Sequence, residues 1–276
     1  MSVREWALVA FTLLMQTSVG VLLVVSALHP FSARGTVQAP VRAFELPLLV
    51  AAGAAALALV ASLAHLGQPL QAWLAVTNVR SSWLSREIMF SLLFTAAVAL
   101  VAAAFRTGLS PAVRGTACLL ALALGLAALY AMSRLYMVPA QPAWNRIATP
   151  LGFFATTVVL GTLAVVVLET AVPFVRALVL VAVTLVALQL LLLPAELATV
   201  AREPAAAISV ASAGHAAVWL AGARAGLALV AAALLVNVFR ALPGPLPASS
   251  AIAALVLVFA SEILGRVLFY ASSVRI

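Results

Sequence analysis

The chain has 276 residues, of which 66% are hydrophobic and only 8% charged. That composition excludes a soluble globular domain and defines an integral membrane protein. The formal charge of +8 comes from arginine and glutamate alone, with neither lysine nor aspartate in the chain. The arginines are scattered over many loops, which suits lipid headgroups and excludes a dedicated nucleic-acid surface.

A transmembrane helix needs about 20 apolar residues. Eight windows qualify, at roughly 5–28, 43–65, 85–105, 113–136, 149–170, 173–198, 217–240 and 248–272. The expected fold is therefore all-α, a polytopic membrane protein built as an eight-transmembrane-helix bundle, with 1–276 as one integral membrane domain. The first window follows Arg4 as a signal peptide would, but the stretch from Trp6 to Leu28 is too long for an h-region and reads as the first span. Proline and glycine punctuate the joins, as at Pro30, Gly35 and Pro40, at Gly108 and Pro111, at Pro139, Pro142 and Pro150, and at Pro243 to Pro247. An even number of spans puts both termini on one side, the terminal face, together with the joins near 66–84, 137–148 and 199–216. Loop arginines divide six against six between the faces. Discounting those beside glutamates makes the opposite face cytoplasmic and the termini exoplasmic.

The ionisable residues of the spans fall unevenly. His65, Glu87, Arg134, Glu196, Arg224, Glu262 and Arg266 group toward the terminal face, each at or just inside a helix end. The other face offers Glu45, Glu169 and His29 at comparable depth, plus ordinary loop arginines such as Arg114. Ionisable groups in hydrocarbon are costly and mark ion, proton or ligand sites. A one-sided cluster points to a proton-handling pocket at one surface and not to a pathway across the bilayer.

The richest stretch is AHLGQPLQAWLAVTNVRSSWLSREI, residues 64–88. Span two ends at His65, the chain turns on Gly67 and Pro69, and span three begins at Ser85-Arg86-Glu87. Trp73 and Trp83 suit the headgroup boundary. A histidine can accept a phenolic proton and pass it on, and a carboxylate in a partly apolar pocket can relay one, so His65 and Glu87 are the candidate proton acceptors. The plainer readings are a polar helix cap for His65 and an arginine-paired or helix-start carboxylate for Glu87. Arg86 is expected to snorkel toward phosphates.

Arg134 closes span four as a buried partner for Glu87, Glu196 or Glu262. Tyr136 and Trp144 either wall a flat aromatic ring or girdle the interface. Glu196 follows Pro194, which removes a helical donor and is expected to open a hydrated turn at the end of span six. Glu262 and Arg266 are four apart, in the order that favours a structural ion pair. Three histidines, with His29 at the wrong face and His215 in a polar loop, are too few and badly placed for a transmembrane haem. The single Cys118 holds no cluster or structural metal and reads as a small core side chain. Phosphate loops, HExxH and CxxC are absent, so nucleotide, zinc-protease and thiol-redox functions are excluded.

The strings HLGQPLQAWLAV and NVRSSWLSREI, RLYMVPAQPAWNRIATPLGFF (134–154), PAELATV (194–200) and SEILGRVLFYAS (261–272) resemble the membrane-anchor subunits of bacterial dimethyl sulfoxide reductases. The likeness runs through nearly the whole chain. It implies a haem-free anchor in the bacterial inner membrane that binds menaquinol or ubiquinol. It further implies two extrinsic partners, an iron–sulfur subunit receiving the electrons and a molybdopterin catalytic subunit beyond it. By resemblance His65 and Glu87 belong to quinol binding and oxidation, and the reading of the residues themselves adds Arg86, Arg134, Tyr136 and Trp144 around them. Arg86 stands where the best-known anchor of that family has a neutral residue. A related anchor serves sulfite dehydrogenases that reduce quinone, because a quinone pocket works in either direction. A secondary transporter would show repeats, broken helices and a midplane site, which this pattern lacks.

Overall fold

A computed structural model describes residues 3–33, 41–65, 78–168, 174–202, 215–242 and 244–271. Among them lie α1 (Val3–Ala33), α2 (Glu45–His65, entered through a 3-10 turn at Val41–Phe44), α3 (Trp83–Arg106), α4 (Pro111–Tyr136), α5 (Ala148–Leu168), α6 (Val175–Arg202), α7 (His215–Ala241) and α8 (Ala248–Ala271). Each carries a stretch long and apolar enough to cross a membrane, so this is a multi-pass membrane protein.

The helix starts follow local rules. Ser82 caps α3 by accepting the Ser85 N–H at 3.3 Å. Ser110 caps α4 by accepting the Val113 N–H at 3.4 Å, with Pro111 in the first turn, where its missing N–H costs nothing. Three expectations about ends fail. Pro30 does not end the first helix, Pro194 does not open a turn in the sixth, and His215 starts a helix and does not sit in a polar loop. The physical reason for the prolines is the solvent. In hydrocarbon a broken helix strands several backbone groups, whereas running on through a proline forfeits a single bond.

The first helix is the axis of the bundle. Its most apolar window is 72% buried, against 22% for those of α6 and α7. It packs against α2, α4, α5 and α8, while α3 joins α4, and α6 and α7 extend the bundle on the far side of α5 and α8. The crossing of α1 and α5 is set by two glycines. A Cβ on Gly20 would collide with the Thr157 carbonyl, and one on Gly161 with the Gly20 backbone. Without a hydrophobic drive between helices in lipid, such close backbone approach supplies the van der Waals contact that holds them. Ser18 adds a hydrogen bond from α1 to the Ala51 carbonyl of α2 at 2.7 Å.

Candidate functional site

Five helices bring their terminal-face ends to one polar and aromatic cluster. Tyr136, the last residue of α4, and Tyr270, one residue from the end of α8, meet hydroxyl to hydroxyl at 2.9 Å. Each is 8% exposed. From α1, Thr12 reaches the Tyr270 hydroxyl. From α3, Glu87 is 4% exposed, and its field reaches both tyrosine hydroxyls.

The aromatic wall closes around Tyr136. Its ring centroid is 5.6 Å from Trp144, 5.3 Å from Phe269 and 5.8 Å from Phe153. Trp144 stacks on Phe269 at 4.9 Å and 14°. Its indole N–H donates to the Phe269 carbonyl at 2.8 Å, satisfying one of the carbonyls that the last turn of α8 leaves without a helical donor. Tyr136 and Trp144 are therefore neighbours in one packed cluster.

Of the carboxyls expected beside Arg134, Glu196 has its side chain outside the described residues, and the described contacts of Arg134 are with a ring and a sulfur. Its guanidinium lies 5.2 Å over the Trp83 ring, with Nη1 4.0 Å from the Met137 sulfur. Arg86 covers the same indole at 4.2 Å. It does not reach out as a free headgroup ligand. Its Nε donates to the Val79 carbonyl at 2.8 Å and its Nη2 to the Arg80 carbonyl at 2.6 Å, tying the residues before α3 back onto the helix. A planar fork with several donors suits two carbonyls and a ring at once.

The four-residue spacing of Glu262 and Arg266 puts them in each other's field, but their hydrogen bonds go elsewhere. Glu262 is bonded to Thr156 of α5 at 2.8 Å and to Gln189 of α6 at 2.9 Å. Arg266, 6% exposed, donates to Gln16 of α1 at 3.0 Å and lies 3.7 Å over the Phe153 ring. Gln16 in turn donates to the Phe153 carbonyl at 2.8 Å. The expected ion pair is thus divided among four helices. Buried charges need satisfied hydrogen bonds more than they need each other, and side-chain amides and hydroxyls on neighbouring helices supply them.

Glu196 lies on the last turns of α6 and His65 ends α2, but both side chains are outside the described residues, as is the 66–77 stretch with Trp73. At the opposite end, His29 is 3% exposed and edge-on to Phe105 at 5.2 Å. Arg114 is no ordinary loop arginine. It is 8% exposed, and its guanidinium lies 5.5 Å from the Phe105 ring. Cys118 is a buried free thiol in the apolar core. Among the described residues no group of three or more His, Cys, Asp or Glu gathers to hold a metal ion. Thr12, Gln16, Thr156 and Gln189 carry no charge, so a reading of the sequence by its charges passes over them. A search for amides inside apolar windows finds both glutamines.

Residues 1–272 match the profile of the DMSO reductase anchor subunit family. Over 162 residues the sequence is 35% identical to the YnfH subunit of an anaerobic dimethyl sulfoxide reductase of Escherichia coli strain K12, covering 57% of this protein and 55% of that one. It is 33% identical over 163 residues to the C subunit of the anaerobic dimethyl sulfoxide reductase of the same strain, covering 58% and 56%. To the C subunit of the Haemophilus influenzae enzyme it is 29% identical over 160 residues, covering 57% and 56%. These pairings span little more than half of each curated relative. No solved structure matches. With the profile covering all but the last few residues, the chain belongs to the DMSO reductase anchor subunit family.

Proposed function

We propose that this protein is the membrane anchor of a molybdoenzyme oxidoreductase complex in the bacterial inner membrane, with exoplasmic termini, and that it oxidises a quinol at its terminal face. A menaquinol or ubiquinol headgroup sits beside Glu87 and His65, with Arg86, Arg134, Tyr136 and Trp144 around it. Hydroquinone gives up two protons and two electrons. Glu87 and His65 accept the protons, and the electrons pass to an extrinsic iron–sulfur subunit and on to a molybdopterin catalytic subunit acting on dimethyl sulfoxide.

One observation carries the reading. Glu87 is 4% exposed, lies in the second turn of a membrane helix, and its field reaches a bonded pair of tyrosine hydroxyls contributed by two other helices. A carboxyl buried among exchangeable hydroxyls and aromatic rings at the membrane rim suits a substrate that is flat, apolar and proton-donating. The membership of the protein in an anchor-subunit family supports the partners.

The test is Glu87→Gln in the assembled complex. Removing a positioned proton acceptor lowers quinol-dependent turnover by about 100-fold or more, while the complex still assembles and a quinol-independent electron donor still drives the catalytic subunit. Turnover equal to wild type with quinol as donor refutes the assignment.

A further inference from the structure

Hydroxyls from three helices end in a chain on one backbone carbonyl. Tyr136 of α4 and Tyr270 of α8 meet at 2.9 Å, Tyr270 is hydrogen-bonded to Thr12 of α1, and Thr12 lies 3.1 Å from the Val9 carbonyl of its own helix. Thr12 is fully buried and both tyrosines are nearly so. Their hydrogens are therefore placed by one another and not by bulk water.

Counting hydrogens fixes which way the chain runs. A hydroxyl carries one hydrogen, and a backbone carbonyl can only accept. The Thr12 hydrogen is spent on Val9, so Thr12 accepts from Tyr270. The Tyr270 hydrogen is spent on Thr12, so Tyr270 accepts from Tyr136. Every contact holds a hydrogen in this order and in no other. Were Thr12 to turn toward Tyr270, it and the Val9 carbonyl would stand oxygen to oxygen with no hydrogen between them. In a water-poor interior the fully bonded chain is favoured, and each bond polarises the next.

The consequence falls on Tyr136. Its hydrogen is committed to Tyr270, so toward any further partner its oxygen can only accept. The indole N–H of Trp144, on a ring 5.6 Å away, is already spent on the Phe269 carbonyl. Glu87, whose field reaches the same hydroxyl, is also an acceptor as a carboxylate. Such a pair suits a ligand that brings its own hydrogens. A hydroquinone has two hydroxyls to donate. The oxidised quinone has only carbonyls, and against Tyr136 it sets one acceptor on another. A site built to bond a substrate hydroxyl rejects the analogue that lacks it, because the site's own polar groups are then left unpaired.

We propose that the chain from Thr12 through Tyr270 to Tyr136 makes the site selective for the reduced form of the headgroup. Tyr136 is the acceptor that recognises a hydroxyl, and Thr12 and Tyr270 are positioning residues that hold it in that role. The proposal rests on the quinol reading above. It also gives product release a cause, since the oxidised headgroup has no hydrogen left to share with Tyr136.

The experiment follows turnover of the assembled complex in membranes, with a short-chain naphthoquinol as donor and its own quinone as inhibitor. In wild type the quinone Ki lies about tenfold or more above the quinol KM, the discrimination of one unpaired buried oxygen. Thr12→Val, close to threonine in shape, frees the Tyr270 hydrogen to turn to Tyr136 and the Tyr136 hydrogen to turn to the headgroup. The ratio of quinone Ki to quinol KM then falls about tenfold. Thr12→Ser keeps the hydroxyl and with it the wild-type ratio. A purely structural role for Thr12 would move both constants together, so an unmoved ratio in T12V overturns the proposal. Wild-type quinone that binds as tightly as quinol overturns it too, even where T12V fails to assemble.

Wild-type complex without quinol turnover refutes the quinol reading itself, and the polarity of the chain is then read without substrate. The infrared difference between wild type and Tyr136→Phe, taken on the full chain in membranes, isolates the C–O stretch of Tyr136. Its position separates a phenol that donates from one that only accepts. A donor's band in wild type that moves in T12V supports the chain, and a band unchanged between the two overturns it.

Discussion

Tyr136 and Tyr270 share one hydrogen bond across 134 residues of sequence, and that bond joins the ends of α4 and α8 within the field of Glu87. Tyr270→Phe leaves the Tyr136 hydroxyl without its partner in a buried place, whereas Tyr136→Phe leaves Tyr270 its bond with Thr12. Tyr270→Phe costs about 1–3 kcal/mol of stability, the penalty of an unsatisfied buried polar group, Tyr136→Phe costs less, and the double variant costs less than the sum because no tyrosine hydroxyl is stranded. Thermal denaturation of the purified protein in detergent measures the difference. Additive losses would mean that the two hydroxyls act independently.

Gln16 bridges the Phe153 carbonyl and Arg266 from the middle of the axial helix. Gln16→Leu leaves a buried guanidinium without its acceptor, and breaking such a buried contact costs about 3–5 kcal/mol. Expression and melting of the variant decide the matter. Restoring stability by adding Arg266→Met to Gln16→Leu would show that the penalty belongs to the stranded charge.

The glycine crossing leaves little tolerance. Gly161→Ala places a methyl against the Gly20 backbone and forces α1 and α5 apart, at a cost of about 1–3 kcal/mol for overpacking. Gly53 has open space around its position, so Gly53→Ala is the control and leaves melting within about 0.5 kcal/mol of wild type. Equal behaviour of the two variants would contradict the crossing.

Arg86 holds two carbonyls of the residues before α3 and covers Trp83. Arg86→Lys keeps the charge but cannot span both carbonyls and the ring, so residues 78–82 gain freedom. Hydrogen exchange of the Ser81 and Ser82 amides, which bond to the Asn78 carbonyl, rises in the variant. Unchanged protection would place the ordering of this turn elsewhere.

Much of the fold was legible because hydrophobic length is nearly sufficient in a bilayer: every expected span has a helix at its place. What misled was punctuation. Pro30 read as a stop and Pro194 as an opened turn by the rules of water, where a freed carbonyl finds a new partner at once. The site was half legible. Glu87, Tyr136 and Trp144 stood out as polar or aromatic residues at helix ends, and they do share one end of the bundle. The pairing of charges was not legible. A spacing of four along α8 says which residues share a helical face, but the acceptors and donors around Arg266 and Glu262 come from α1, α5 and α6, and no local pattern encodes those.

The tyrosine bond also has a consequence for biosynthesis. Ribosomes add about 5–20 residues per second, so the hydroxyl of Tyr136 waits on the order of ten seconds for a partner that lies 134 residues downstream. Throughout that interval Gln16 lacks the Arg266 guanidinium and Thr12 lacks the Tyr270 hydroxyl, both of which α8 brings. The membrane insertion machinery must shelter a half-built rim until α8 arrives to close it.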